Sequence, residues 1–366
     1  MAIDISRIDA VASRLPEAVL DPSRWIGIME EVCGAVKTSG AALLQGDVRT
    51  ADIPVTDSVA EYFKSYFDQQ LHISDVRAIR GVPKLLAGQS VVIDQDIFVS
   101  EREMAREPLY LDLEKYGYRW WAAIGFKAGS TLWGLALQRK KVEGPFGAEE
   151  VKALSRLSRH LTETATLSSA VGRQSLLNVT NALRMMDRPA LALGRLSIVL
   201  EVNDRAVPLF DESLRIRNGR LFVKDAAARQ RLANLDDQLR TAPDSVAIAV
   251  PPIIVRRDNK RPILIRVLPV SGAARSPFLG ARAILVFDDL DTRSHIDPAM
   301  LSHAFGITSG QARVASLLTM GMSVEEIASN LEISVDTVRN HIKGVFAKVG
   351  ARRQSELVAL ISRLRF

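Results

Sequence analysis

Between Thr308 and Gly350 the chain starts a short apolar run three times, each time behind a hydroxyl residue. Thr308 is followed three residues later by Gln311, a capping-box pattern in which each side chain can satisfy the other's backbone N–H. The run that begins there carries Ala312 to Leu318 and closes at Gly321, a residue suited to the left-handed turn after a helix. Ser323 opens a second helix that buries Val324, Ile327 and Ala328. Leu331, Glu332 and Ile333 follow, and Ser334 opens a third helix that runs to Gly350. A last amphipathic segment spans Gln354 to Leu364. A chain punctuated this closely has no room for long elements, so it must fold as several short helices. The three-residue turn between two of them has the makings of a helix-turn-helix.

In the third helix Val335, Val338, Ile342, Val345, Phe346 and Val349 share one face. Asp336, Thr337, Arg339, Asn340, Lys343 and Gly344 are left to the other. Arginine and lysine can donate to guanine, and asparagine can pair bidentately with adenine, so that face suits a DNA major groove. Ser323, Ser334 and Thr337 stand at helix N-termini, where they can reach phosphates. Lys348, Arg352 and Arg353 add positive charge at the far end. The plainer alternative is that Arg339 and Lys343 are a solvated helix face.

Thr308, Ala312 to Leu318, Gly321, Ile327, Ala328, Leu331, Ile333, Ser334, Thr337, Val338, Asn340, His341, Lys348 and Gly350 together resemble the DNA-binding domain of LuxR-type transcriptional regulators. The chain departs from that pattern at Gln311 and Arg313, positions at which many members carry glutamate. The resemblance implies an all-α four-helix domain over residues 300–366. It also implies a recognition helix in the major groove, double-stranded DNA as partner, and a dimer contact through Leu357, Leu360 and Ile361.

The remaining three hundred residues are too many for one core, so two or three domains are expected in all. A formal charge of +6 is compatible with a nucleic-acid partner without requiring one. Cys33 is the single cysteine, which rules out an internal disulfide or a cluster built on several thiolates and fits a reducing cytoplasm. Asp4, Arg7, Asp9, Arg14 and Glu17 interrupt the first twenty residues, so no signal-peptide core is present, and no stretch of eighteen uncharged apolar residues occurs. These features predict a soluble cytoplasmic protein.

Residues 1–170 read as helices flanking a few strands, an α+β arrangement. Helical spacing covers Ile5 to Leu20, Ser23 to Thr38 and Ser58 to Gln70. Strands are expected at Gly40 to Leu44 and Gln89 to Ile93, and a hairpin at Tyr118 to Phe126 with Leu132 to Gln138. The hairpin, followed by Pro145 to Val151 and a long helix, resembles a GAF domain.

The aromatic set Tyr62, Tyr66, Tyr116, Tyr118, Trp120, Trp121 and Trp133 could line a ligand pocket or simply form an aromatic core. The spacing of Tyr62, Tyr66 and Asp75 resembles the aromatic, aromatic, aspartate arrangement of acyl-homoserine-lactone receptors. Val76 stands where those receptors carry proline, and Ser90 where a tryptophan is expected. The candidate pocket residues are therefore Tyr62, Tyr66, Asp75, Tyr118, Trp120 and Trp133. His72 and His160 have no second ligand at metal spacing, and no catalytic constellation is visible, so neither a metal, a cofactor nor an enzyme is expected.

From Ala148 to Met186 the chain holds no proline and one glycine, Gly172. Either one long dimerising helix or two helices kinked near Gly172 would fit. Beyond it, two short strands (Leu191 and its neighbours, then Leu196 to Val202) lead to Asn203, a plausible N-cap. Later strands are expected at 246–250, 253–256, 262–268 and 281–287. That order resembles a PAS domain over residues 174–291, with no cysteine or histidine in it to hold flavin or haem.

The expected whole is a multidomain chain with GAF-like and PAS-like sensor modules ahead of a helix-turn-helix. It would act as a homodimeric transcriptional regulator that reads DNA, answers to a small-molecule effector and can meet RNA polymerase.

Overall fold

Four strands, Gly40–Gln45 (β1), Val91–Ile93 (β2), Tyr118–Ala128 (β3) and Thr131–Lys140 (β4), pair antiparallel in the order β1-β4-β3-β2. The hairpin β3-β4 is the one its alternation and the Gly129 turn predict, with Ala123 opposite Ala136 and Gly125 opposite Gly134. The computed structural model describes residues 5–47, 50–241, 250–291 and 296–362. It divides into two compact units, Met1–Asp258 with Leu264–Asp288 and Asn259–Ile263 with Asp289–Phe366. A multidomain chain with an α+β N-terminal region and a helical C-terminal region is what the sequence led us to expect.

The N-terminal helix is shorter than its periodicity suggests. Pro16 lacks the N–H that an α-helix interior needs, so Ile5–Arg14 stops and Glu17–Leu20 forms a separate turn. Two helices that the sequence reading passed over, Val76–Leu86 and Pro108–Lys115, lie between β1 and β3 in the chain. Pro83 inside the first masks an otherwise strong helical periodicity, and the second mixes charged and apolar residues over just eight positions.

Residues Ala148–Met185 form one helix of 38 residues. It lends Ala153, Leu154, Leu157, Leu161 and Ala165 to the core under the first sheet and Leu176 to a second core. Gly172 is not a kink but a close approach. A Cβ built there would sit 2.8 Å from the Ala273 carbonyl oxygen and 3.3 Å from Ser276 Cβ. We therefore expect Gly172→Ala to destabilise the protein, because overpacking costs about 1–3 kcal/mol, against about 1 kcal/mol of helix propensity that alanine returns. A urea midpoint that rises or stays put would show that the 272–275 turn yields.

The second sheet collects Ala190–Gly194 (β5), Val199–Val202 (β6), Ile253–Arg257 (β9), Lys260–Pro269 (β10) and Ala281–Asp289 (β11) in the order β6-β5-β11-β10-β9. A separate hairpin, Leu214–Arg217 (β7) with Arg220–Val223 (β8), and the helix Ala226–Thr241 fill the stretch between. The strand expected at 246–250 falls almost wholly outside the described residues. Asn203 caps no long helix. Its side chain accepts from the N–H groups of Ala190 and Ala206, and donates to the carbonyls of Thr180 and Arg188. One amide thereby ties the end of the long helix to the start of the sheet.

The two sheets of this unit are joined by side chains far apart in sequence. Phe278 meets Trp25, Phe126 and Trp133 edge-on, with ring centroids 5.1, 5.9 and 5.0 Å away. Asp52, fully buried, accepts from Arg195 Nε at 2.6 Å and from the Thr50 hydroxyl. Arg282 Nε, also buried, lies 3.3 Å from the same carboxylate oxygen. Ser168 on the long helix shares a hydrogen bond with Ser276 at 2.8 Å.

Residues 296–362 have their own core of Leu301, Ile307, Val314, Ala315, Leu318, Ile327, Val338, Val345, Leu357 and Ile361. A helix ahead of the expected four, Pro298–Phe305, starts on Asp297, whose carboxylate accepts from the Ala299 N–H at 2.8 Å. Among the described residues no helix is long and apolar enough to cross a membrane.

Candidate nucleic-acid interface

The caps read from the sequence set the helix starts. Thr308 Oγ1 accepts from the Gln311 N–H at 3.3 Å, and Gln311 Oε1 accepts from the Thr308 N–H at 3.0 Å, opening Ser309–Thr319. Ser323 and Glu326 repeat the exchange at 3.1 and 2.7 Å to open Val324–Leu331. Ser334 accepts from the Thr337 N–H at 3.1 Å and opens Val335–Val349. Between the last two, Glu332 takes a left-handed backbone at φ 55°, and the Ile333 N–H returns to the Ala328 carbonyl at 3.0 Å. That residue turns the chain without glycine and carries the local strain of the motif.

Helix Val335–Val349 buries Val338 and Val345 and half-buries Val335, Ile342, Phe346 and Val349. Asp336, Thr337, Arg339, Asn340 and Lys343 are exposed, so the two faces separate where the spacing says they should. Gly344 does not join the exposed face. It is half-buried against the helix Ser309–Thr319, where a Cβ would fall 2.2 Å from Gln311 Nε2. Gly310 and His341 approach in the same way, with a Cβ at Gly310 reaching 3.2 Å from the His341 ring. Two glycines thus let the third helix settle closely on the first.

The cations are not equivalent. Arg339 Nη1 lies 3.3 Å from Asp336 Oδ1 in a pair whose side chains are 59 % and 87 % exposed. Such a pair contributes about 0.2–1 kcal/mol, so the guanidinium can leave it readily. Lys348 Nζ donates to the Gly306 carbonyl at 2.9 Å, at the end of helix Pro298–Phe305. Its first job is a scaffold contact. Lys343 and Asn340 make no side-chain hydrogen bond or ion pair among the described residues. Arg352 and Arg353 are exposed ahead of helix Gln354–Ser362. Leu357 and Ile361, which the resemblance places at a dimer contact with Leu360, are fully buried in the domain's own core, whereas Leu360 is half-buried. Ser323, Ser334 and Thr337 sit exposed at the helix starts.

A capped helix whose exposed face carries arginine, asparagine and lysine, held by a second helix across a three-residue turn, defines a helix-turn-helix DNA-binding domain. The sequence pattern of the family described as "Bacterial regulatory proteins, luxR family" matches residues 307–361. The chain belongs to that family through this domain, and it is a DNA-binding transcription regulator. It is 38 % identical over 58 residues to the spore germination protein GerE of Bacillus subtilis (strain 168), a match covering 16 % of this chain and 78 % of that protein.

Two solved structures also align. A chain of the phage VqmA–DPO complex is 18 % identical, covering 52 % of this chain and 88 % of that one, with a TM-score of 0.23. A chain of the Escherichia coli DhaR(N)–DhaL complex is 12 % identical, covering 79 % and 91 %, also with a TM-score of 0.23. At that score neither likeness bears on fold or function.

In the N-terminal unit the six pocket candidates do not gather around one cavity. Tyr66 donates to Asp75 at 2.8 Å, and Arg77 Nη2 donates to Tyr62 at 3.1 Å. Burial pushes the Tyr62 hydroxyl up to about 12, so it stays protonated. Tyr118 donates to the Ser58 carbonyl, and Trp120 lines a separate open cleft of about 260 Å³ beside Asp94. Burial pushes the Asp94 carboxyl up to about 7, although the Tyr110 hydroxyl and the Trp121 N–H both donate to it. Trp133 alone of the six borders the cavity under helix Val76–Leu86. Arg77, which the sequence reading did not single out, borders it too, and no local pattern marks a lone arginine in a mixed helix as buried. Among the described residues no three of His, Cys, Asp and Glu cluster to hold a metal ion.

Proposed function

We propose that the N-terminal unit governs when the helix-turn-helix occupies DNA, and that the chain works on DNA as a homodimer. The observation that carries the DNA-reading half is the exposed face of Val335–Val349, with Arg339, Asn340 and Lys343 opposite a buried apolar face. In this reading those three side chains meet base edges, with Asp336 alongside. Ser323, Ser334 and Thr337 hold phosphates, and Lys348, Arg352 and Arg353 supply charge around them.

The governing half is a GAF-like module over residues 1–170 and a PAS-like module over residues 174–291. Support comes from the shared helix Ala148–Met185, which belongs to both cores, and from Asp52 and Phe278, which lock the two sheets together. A change in one module is then felt in the other. Exposed Leu167, Val179 and Met185 along the shared helix suit a second copy. Once on a promoter, the chain would act through RNA polymerase.

Crosslinking and sequencing of genomic sites tests both halves. The full chain should recover paired half-sites about one helical turn apart. Residues 296–366 expressed alone should occupy those sites at least tenfold differently. Equal occupancy would overturn the governing role, and sites with no shared sequence would overturn the reader.

A further inference from the structure

The hairpin β7-β8 collects positive charge on one of its faces. Its turn is the pair Asn218 and Gly219, with φ of 51° and 70°, so Arg217 stands directly across from Arg220. Arg215 lies across from Phe222, and strand alternation puts Arg215, Arg217, Arg220 and Phe222 on the same side. The reverse side turns Leu214 and Val223 into the interior. Every residue from Arg215 to Arg220 is exposed.

Like charges directly opposite weaken a strand pair, so the match of Arg217 with Arg220 does not serve the hairpin's own stability. The charge is not neutralised within the chain either. Among the described residues Arg215, Arg217 and Arg220 make no ion pair and no side-chain hydrogen bond. Three nearby carboxylates are engaged elsewhere. Asp211 accepts from the Ser213 and Leu214 N–H groups, Asp225 from those of Ala227 and Arg256, and Asp258 from the Lys224 ammonium. Between Asp211 and Arg231 basic residues outnumber acidic ones six to three.

Two guanidiniums of this face are held in place by a ring. Arg215 and Arg229 lie 5.1 and 5.3 Å from the Phe222 centroid, and Arg229 is pinned further by donating to the Val223 and Lys224 carbonyls. Stacking on an aromatic ring orients a guanidinium without spending its N–H donors. Those of Arg215 therefore stay available to an anion, as do those of Arg217 and Arg220 at the tip.

We infer that this face is a second DNA contact, which holds backbone phosphates through Arg215, Arg217, Arg220 and Arg229 whatever the base sequence. Duplex DNA is the polyanion that a regulator of this family binds, and a guanidinium fork takes phosphate oxygens in pairs. The hairpin then contributes affinity, and the recognition helix contributes the choice of sequence. The inference is independent of the governing role proposed above, since phosphate contacts need no signal.

Gel shifts of the full-length protein over a salt series test it, on a genomic site recovered by crosslinking and on a scrambled duplex of equal length. Replacing Arg215, Arg217 and Arg220 together by Gln should lower the slope of log K against log salt by about two to three on both duplexes, at about 0.9 per phosphate contact. Affinity should fall at least tenfold on both, with the preference for the genomic site kept. Replacing the same three by Lys should keep the slope, because the charge is retained. Arg217→Glu sets a carboxylate across from Arg220 and should raise the thermal midpoint while it weakens binding to both duplexes, a split that no folding defect produces.

An unchanged slope in the Gln variant would overturn the contact, even if the hairpin proved to hold an acidic protein instead. A loss confined to the genomic site would overturn its sequence independence. The occupancy difference expected between the full chain and residues 296–366 should persist in the Gln variant. Its disappearance there would assign that difference to the hairpin and overturn the governing role alone.

Discussion

Asp52→Ala is expected to cost the N-terminal unit about 3–5 kcal/mol, because it removes a carboxylate that two buried guanidiniums face. Arg195 is one-tenth exposed and Arg282 about one-hundredth, so solvent does little to screen the charges left behind. All four tryptophans lie in this unit, at 25, 120, 121 and 133, so urea unfolding followed by their fluorescence reads it alone. Asp52→Asn keeps the shape and an acceptor for Arg195 and should fall between Ala and wild type. Replacing Arg282 by Met, a side chain of similar length without charge, should cost less than Asp52→Ala, since Asp52 keeps Arg195 as its partner and no buried charge is left uncompensated. If Asp52→Ala shifts the midpoint by no more than an ordinary surface substitution, the clamp does not hold the two sheets together.

The second large effect is on DNA. Arg339→Ala and Lys343→Ala are each expected to weaken operator binding by about 1–3 kcal/mol, roughly five- to more than a hundredfold. Their stability should change by no more than about 0.5 kcal/mol, because both side chains are exposed and the Arg339–Asp336 pair is weak. Lys348→Ala should behave differently, losing some stability as well as affinity, because its ammonium holds the Gly306 carbonyl. Gel shifts at several salt concentrations separate the roles. A phosphate contact lowers the salt slope by about one, whereas a base contact changes which sequences bind. Unchanged binding in both Arg339 and Lys343 variants would sink the assignment of this face.

How far the chain could be read without its fold varies along its length, for a consistent reason. Thr308 with Gln311, Ser323 with Glu326 and Ser334 with Thr337 are exchanges between residues three apart, and a linear pattern contains them whole. The hairpin β3-β4 is equally local, since two apolar runs flank a glycine turn. Helix Ala226–Thr241 was missed because it buries just Ala228, Leu235 and Leu239, too few apolar positions to mark a stripe. Pro298–Phe305 starts on the signal of Asp297 and Pro298, but it buries just Leu301, too little for a helical face to stand out in the sequence. Gly344 read as exposed because a period of 3.6 locates a face but not the neighbour that crosses it.

By itself the sequence determined the helices that start at Thr308, Ser323 and Ser334, their caps and the two faces of Val335–Val349, since all of these depend on residues within a turn or two of each other. The tertiary structure alone decided what Gly172, Asp52, Arg77 and Phe278 are for. Asp52 and Arg195 are 143 residues apart, and the partner of a buried charge is chosen by how sheets and helices stack, which no local spacing records. The same stacking closes Phe278 onto three aromatic rings.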